Sequence, residues 1–215
     1  RIIYSALTII LMLQESSQPK IEILCIGSEL LLGDILNSNS QWIAEELTSL
    51  GLLNQRQTVI GDNPQNIIQE VLSASERSQI LITTGGLGPT HDDLTTSSIA
   101  AAFDQELKER AGIWNEIQNK LLSNKRIVSE SNHKQAFFPS DAEIIPNPTG
   151  TAPGMIWNPK ENFHIITFPG VPSELKAMWE QTGVKWLERQ GFKSEKIASR
   201  TLRFTGISES KLAED

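Results

Sequence analysis

The feature that most constrains this chain is an alternation. Between residues 20 and 95, three apolar, strand-like runs alternate with three segments of helical period. "KIEILCIG" is near-continuously apolar, as a strand buried on both faces must be. The polar "GDILNSNS" follows, and its Asn/Ser cluster can cap a helix. Ile43, Leu47 and Leu50 then recur at i, i+4 and i+7, and Gly51 supplies the stop. "QRQTVIGDN" reads as a shorter, more polar strand. Asn63 caps the next helix, with Pro64 at its first position and Ile67, Ile68, Val71 and Leu72 expected inside. "QILITT" is the third strand. Strands alternating with helices favour an α/β fold, a domain with a largely parallel sheet.

Beyond that repeat the pattern loosens. A helical region is expected from about Ser97 to Leu122, broken near Gly112, while "SESNHKQAFFP" fits neither period. Three short apolar pieces, "AEIIP", "GMIW" and "FHIITFPG", read as strands joined by tight turns. "VPSELKAMWEQTGVKWLE" is a proline-started helix whose Leu175, Met178, Trp179 and Trp186 serve packing. "SRTLRFTGISESKLAED" offers one strand and a helix start. The opening run "IIYSALTIILML" is too short to span a bilayer, and no small-residue cleavage pattern follows it. A start-site misassignment explains it better than targeting, so residues 1–19 are set aside as an extension.

Function concentrates in "LITTGGLGPTHDDLT", residues 81–95. Ligands of open α/β sheets sit beyond the carboxyl ends of the strands, and Gly85, Gly86 and Gly88 lie at such an end. Glycine permits positive φ and close backbone approach. Successive amides in such a loop form an anion nest, and a helix starting near Thr95 adds its positive end. Gly85, Gly86, Leu87, Gly88, Pro89, Thr90 and Thr95 are the expected phosphate cradle. A lysine-bearing Walker loop is excluded because no Gly-Lys-Ser/Thr follows, and the dinucleotide fingerprint because His91 holds its third glycine position.

Asp92 and Asp93 beside a phosphate would repel it unless a cation intervenes, and paired hard oxygen ligands suit Mg²⁺, Mn²⁺ or Co²⁺. The competing reading is that an aspartate caps the following helix; Asp93 fits either. Glu29 and Asp34 follow the first strand and Asp62 follows the second, which suggests one cleft lined by Glu29, Asp62 and Asp93. "FPGVPSE" brings Gly170, Pro172 and Glu174 to a second helix start, either as ligand contacts or as a rigid turn. Glu29 and Glu174 are candidate water-orienting bases. His91 is a weaker candidate, and His133 and His164 read as structural.

A net charge of −7 with no Lys/Arg cluster argues against nucleic-acid or membrane-surface binding. A small anionic ligand is still allowed, because amides and a metal can hold phosphate without a basic surface. The single cysteine, Cys25, lies within the first strand and reads as a buried structural thiol, which suits a reducing, cytoplasmic setting. Homo-oligomerisation is left open.

"TTGGLGPTHDDLT" closely resembles the signature of the molybdopterin-binding (MoaB/Mog-like) domain family, in the form found in CinA competence/damage-inducible proteins. "GSELLLGDILNSNSQWIAEEL" (27–47), "VIGDN" (59–63), "PNPTGTAPGM" (146–155) and "FPGVPSELKAMW" (168–179) resemble it too. The resemblance implies a three-layer α/β/α domain with a mixed, mostly parallel sheet over residues 20–190. "LRFTGISESKLAE" resembles the opening of a small middle domain, expected over 191–215. It also implies a divalent-metal-dependent ADP-ribose pyrophosphatase giving AMP and ribose 5-phosphate, with the family's two aspartates falling on Asp93 and Asp62. The nicotinamide-nucleotide deamidase domain common in such proteins is not matched. Two alternatives stay open: binding or adenylation of a molybdopterin-type cofactor, and a non-catalytic nucleotide-binding module.

Overall fold

The computed structural model describes residues 18–192 and two short strands, β1 (Ser5–Leu7) and β10 (Leu202–Phe204), which pair antiparallel. The expected extension at 1–19 and the expected second domain at 191–215 therefore lie largely outside the described residues.

The alternation folds as its periodicity requires. β2 (Ile21–Ile26) leads through the short α1 (Ser28–Leu32) into α2 (Ser38–Ser49), then β3 (Asn54–Ile60), α3 (Pro64–Arg77) and β4 (Ile80–Thr84). The Asn37 side chain accepts from the Ser40 N–H at the start of α2, and Asn63 does the same for Asn66 at α3. Gly51, at φ 77°, turns the chain out of α2. β7 (Glu143–Ile145), β8 (Gly154–Lys160) and β9 (Phe163–Phe168) complete a sheet of order β3-β2-β4-β9-β8-β7. β3, β2, β4 and β9 run parallel; β8 is antiparallel to β9, and β7 to β8. The sheet is mixed and mostly parallel, with a helical layer on each face.

All six residues of β2 are buried, alternating between two cores. Ile21, Ile23 and Cys25 face Ile43 and Leu47 of α2, together with Leu175, Met178 and Trp179. Leu24 and Ile26 face Ile67 and Val71 of α3 and Ile99 of α4 (Thr95–Ala102). Each such aliphatic side chain contributes about 1.5–3 kcal/mol on burial, so two-sided packing, more than helix propensity, fixes the layers. α6 (Pro172–Met178), a π turn (Trp179–Gly183) and α7 (Val184–Arg189) close the first face, with Trp179 and Trp186 buried as packing residues. Burial pushes the Cys25 thiol up, against hydrogen bonding from Asn37 and Ser40, and keeps it unreactive.

Three expectations need correction. The inner face of α3 is Ile67, Val71, Ala74 and Ser75, while Leu72 is 40% exposed, because the stripe drifts toward the later residues of the helix. The helical region beyond residue 97 is two helices, α4 and α5 (Ala111–Ser123). The break falls at Asp104, whose φ is +52°, and at β5 (Leu107–Glu109), whereas Gly112 lies inside the first turn of α5. The unassigned "SESNHKQAFFP" is a 3₁₀ helix (Glu130–Ala136) running into β6 (Phe137–Pro139), which pairs antiparallel with β5. These elements form an annexe beside α4, with Ile117, Leu121 and Ala136 as its own small core.

Candidate functional site

The parallel strands β2, β3, β4 and β9 deliver their following loops to one edge. There they enclose a cleft of about 650 Å³. Glu29, Asp62, the loop from Gly85 to Thr90, Asp92, Asp93, Gly170, Pro172 and Glu174 all line it. Residues from four strand ends that the sequence separates by up to 145 positions thus share one space.

The glycine loop is shaped by steric necessity at two positions. Gly85 has φ +105°, and a Cβ there would overlap the carbonyl oxygen of Ile26. Gly86 has φ +64°, and a Cβ there would strike the Thr95 hydroxyl. The Thr95 hydroxyl donates to the Gly85 carbonyl at 2.8 Å, and the Thr95 N–H donates to the Gly86 carbonyl at 3.1 Å. Thr95 is fully buried and outside the cleft lining, so it braces the loop from behind and is no ligand contact. Gln135 Nε2 donates to the Leu87 carbonyl at 3.1 Å. Among the described residues, nothing accepts from the N–H groups of Gly86, Leu87 and Gly88. The carbonyls of Gly85, Gly86 and Leu87 are bonded to the protein, and among the described residues the N–H groups on those same three peptides are not.

The two principal aspartates are held alike. One oxygen of Asp62 accepts from the N–H of Ser28 at 2.8 Å and from its hydroxyl at 2.9 Å. One oxygen of Asp93 accepts from the N–H of Thr90 at 2.8 Å and from its hydroxyl at 2.7 Å. In each case the second oxygen, Oδ1, is left uncommitted among the described residues. The competing reading of an aspartate cap on α4 is not realised: its N-cap is Leu94, without a side-chain cap, and Asp93 turns its Oδ2 back to Thr90 instead. Asp92 is exposed on the same turn. His91 is exposed and lines no recess described here. Asp34, just after α1, lies outside the cleft lining.

Glu174 is less free than its position suggests. Its carboxylate accepts from Asn147 Nδ2 at 2.7 Å, and Asn147 in turn accepts from the N–H groups of Thr149 and Gly150. It pins the "NPTG" loop at the cleft edge. Glu29, in the first turn of α1, is exposed and has no such tether among the described residues.

Charge in the cleft is one-sided. Its lining carries five carboxylates, from Glu29, Asp62, Asp92, Asp93 and Glu174, and no Lys or Arg. Among the described residues, no group of three or more His, Cys, Asp or Glu side chains converges closely enough to cage a metal. One or two uncommitted oxygens do suit an ion that takes its remaining ligands from phosphate and water, as Mg²⁺ commonly does.

A second recess of about 400 Å³ shares Gly86, Leu87, Gly88, Asp93 and Gln135 with the cleft and extends under the annexe. Leu107, Phe137, Phe138 and Pro153 give it apolar walls. His133, which stacks on Trp114 and Phe137 at 4.8 and 5.1 Å between centroids, is part of that wall. His164 lies on β9 against Trp186.

Sequence reasoning missed Ser28, Asn39, Lys134, Gln135 and Asn147. Asn39 Nδ2 bridges the Thr84 hydroxyl at 3.0 Å and the Gly170 carbonyl at 2.8 Å, tying α2 to two strand ends. The available signal was a polar amide side chain close to apolar segments. Gln135 and Asn147 are 5% and 2% exposed, and a buried amide must find partners.

Among the described residues, no helix is long and apolar enough to cross a membrane. Comparison with known proteins agrees with this architecture. The sequence profile described as "Probable molybdopterin binding domain" matches residues 22–189. A CinA-like protein of Prochlorococcus marinus is 60% identical over 95% of this chain and 48% of its own length. One from Parasynechococcus marenigrum is 58% identical over 90% and 46%. The chain thus spans about half the length of these curated relatives. Among solved structures, CinA of Thermoplasma acidophilum superposes with a TM-score of 0.71 at 30% identity, over 81% of this chain and 99% of that one. MoaB of Thermus thermophilus, at 15% identity, 81% and 94% coverage and a TM-score of 0.53, shares the fold. Profile, relatives and topology together place the chain in the molybdopterin-binding domain family, in its CinA-like form.

Proposed function

We propose that this domain hydrolyses the pyrophosphate bond of ADP-ribose with a divalent metal ion, giving AMP and ribose 5-phosphate. One observation carries the reading: among the described residues, three adjacent unpartnered amides lie in a cleft that holds five carboxylates and no basic residue. The amides favour an anion, and the carboxylates repel one unless a cation binds with it. A diphosphate-metal complex satisfies both, with Asp62 and Asp93 as the metal-holding residues and Asp92 as an outer contact. When bound, such an ion neutralises the diphosphate and polarises a phosphoryl oxygen.

The protein's own groups do the rest. Gly86, Leu87 and Gly88 donate to the phosphoryl oxygens and stabilise charge that grows there during attack. Gly170 and Pro172 border the distal phosphate or ribose. Glu29 accepts a proton from the attacking water. The water oxygen forms a bond to one phosphorus, the bridging P–O bond breaks, and the departing phosphate leaves as a monoester. Glu174 acts as a positioning residue: its Oε2 accepts from Asn147 and holds the 146–152 loop against α6, while the untethered Glu29 is assigned the proton.

A pterin ligand is the second reading. The recess walled by Leu107, Phe137, Phe138 and Pro153 is apolar on several sides, as any planar heterocycle requires, and the family description names molybdopterin.

The test is incubation of the chain with ADP-ribose and Mg²⁺, Mn²⁺ or Co²⁺, following AMP by chromatography against an EDTA control. Metal-dependent AMP supports hydrolysis. ADP-ribose bound without turnover supports a nucleotide-binding module. Neither, with a pterin raising the melting temperature, supports the second reading.

A further inference from the structure

We propose that Gln135 and Lys134 are positioning residues that clamp the glycine loop and its following turn by carbonyl oxygens, Gln135 holding the Leu87 carbonyl so that the Gly88 amide stays available for an anion and Lys134 fixing the turn that presents Asp93. The proposal rests on the anion-binding reading of the cleft and adds to it the device that sets the loop's polarity.

Both residues come from the 3₁₀ helix of the annexe. Gln135 Nε2 holds the Leu87 carbonyl. Lys134 Nζ donates to the Thr90 carbonyl and, at 3.0 Å, to that of Asp93. Three carbonyls across the loop and its following turn are thus drawn to one neighbouring segment. The Asp93 N–H also donates to the Thr90 carbonyl, so Lys134 reinforces the turn that presents the Asp93 carboxylate.

The clamp is itself braced. Asn132 Nδ2 donates to Gln135 Oε1 at 3.2 Å, which directs the Gln135 amino group toward Leu87. The Asn132 oxygen accepts from the Ser129 N–H at 3.2 Å, closing a capping box at the start of the 3₁₀ helix. The Arg110 N–H anchors the Ala136 carbonyl at 2.8 Å. A chain of contacts therefore runs from the annexe to the loop, and its two buried amides, Asn132 and Gln135, each find partners.

Peptide orientation gives the clamp its consequence. A peptide that flips exchanges a donor for an acceptor on the ligand side, converting an anion nest into a repulsive surface. Bonding the Leu87 carbonyl to Gln135 makes a flip of the peptide that carries the Gly88 N–H costly, since a sequestered carbonyl loses its partner; Thr95 holds the two preceding peptides by the Gly85 and Gly86 carbonyls, and Lys134 fixes the turn from Thr90 to Asp93 that follows. The ammonium of Lys134 adds positive charge beside a loop whose other nearby charges, Asp92 and Asp93, are negative; burial lowers its proton affinity and those two carboxylates raise it. Lys134 lines the second recess and not the cleft, which separates clamping from direct contact with a diphosphate.

The experiment compares the full chain with its Lys134→Met, Gln135→Leu and Lys134→Arg variants. Hydrogen exchange is followed over residues 85–95 and over β4 and β9, alongside melting temperature and titration with ADP plus Mg²⁺ as the diphosphate probe. Expected for Lys134→Met and Gln135→Leu is exchange about ten-fold faster at the bonded amides of Thr90, Asp93 and Thr95, with the strands unchanged. ADP affinity falls about ten-fold, and Lys134→Arg retains most of both properties. Unchanged exchange at the loop overturns the clamp. Acceleration spread evenly through the strands also overturns it, by showing a merely structural role. If the unaltered chain binds no ADP, the diphosphate reading fails, and the exchange measurement still judges the clamp separately.

Discussion

The two ends of the parallel sheet treat their carboxylates differently. At the amino end, Glu22 on β2 is 5% exposed and paired through both oxygens with Arg77, at 2.8 Å each, while Arg77 also reaches Glu70 at 2.5 Å. At the carboxyl end, Asp62 and Asp93 receive only neutral donors, from Ser28 and Thr90. The fold supplies its own cation where a charge is purely structural. Beyond the other end it orients two carboxylates with neutral donors and, among the described residues, gives neither an ion pair; the nearby Lys134 ammonium bonds the Asp93 carbonyl instead of its carboxylate. Mutual repulsion there costs stability, and a cation arriving with a ligand removes that cost. Charge left unneutralised at an edge of precise geometry is a stronger pointer to function than the aspartates alone.

The sharpest attempt to break this contrast is at Asp93. Asp93→Ala is expected to abolish metal-dependent AMP release while the melting temperature stays close to that of the unaltered chain, because the lost bonds lie in one partly exposed turn worth about 1 kcal/mol. Full turnover with a native melting profile would remove Asp93 from the mechanism. The opposite pattern is expected at Arg77. Arg77→Met strands the buried Glu22 charge and should lower stability by about 3 kcal/mol, read by urea denaturation, with turnover per folded molecule unchanged. If both substitutions behaved alike, the two ends would not be divided as described.

A smaller effect separates Glu29 from its neighbours. Glu29→Gln should reduce kcat by about 10²-fold and leave KM near its original value. Glu174→Gln should change kcat by less than about ten-fold, since Gln keeps a carbonyl oxygen for Asn147. A loss of about 10²-fold in Glu174→Gln alone would exchange the two assignments.

Much of this was legible in the sequence, and for identifiable reasons. β2 and β4 are buried on both faces, so their composition had to be apolar throughout, and a run such as "ILCI" admits few other readings. Asn37, Asn63 and Gly51 act within a few residues of themselves, so their roles survive in the linear string. The annexe did not. Its 3₁₀ helix has no 3.6 period, β5 and β6 are three residues each, and their pairing joins segments 28 or more positions apart. The same holds at the site. Asp62 could be placed at a strand end, but its partner Ser28 is 34 residues away, and Thr95 looked like a ligand contact because only the fold puts it behind the loop. Local chemistry is written in order along the chain; long-range hydrogen bonds are not.

The least effect is expected at His164, and it tests the amino end by pH. Its ring packs edge-on against Trp186 at 5.0 Å, and burial holds its proton affinity below the ordinary value of 6.5. The unfolded chain then binds a proton more readily than the folded one between pH 6.5 and the lowered folded value. Stability contributed by neutral His164 is present above about pH 6.5 and is lost as pH falls through that window. His164→Gln removes this titration, so its melting temperature should decline less between pH 7 and pH 5 than that of the unaltered chain. An unaltered acid decline in His164→Gln would mean that other groups govern it, and that the amino end carries no pH-sensitive burial of its own.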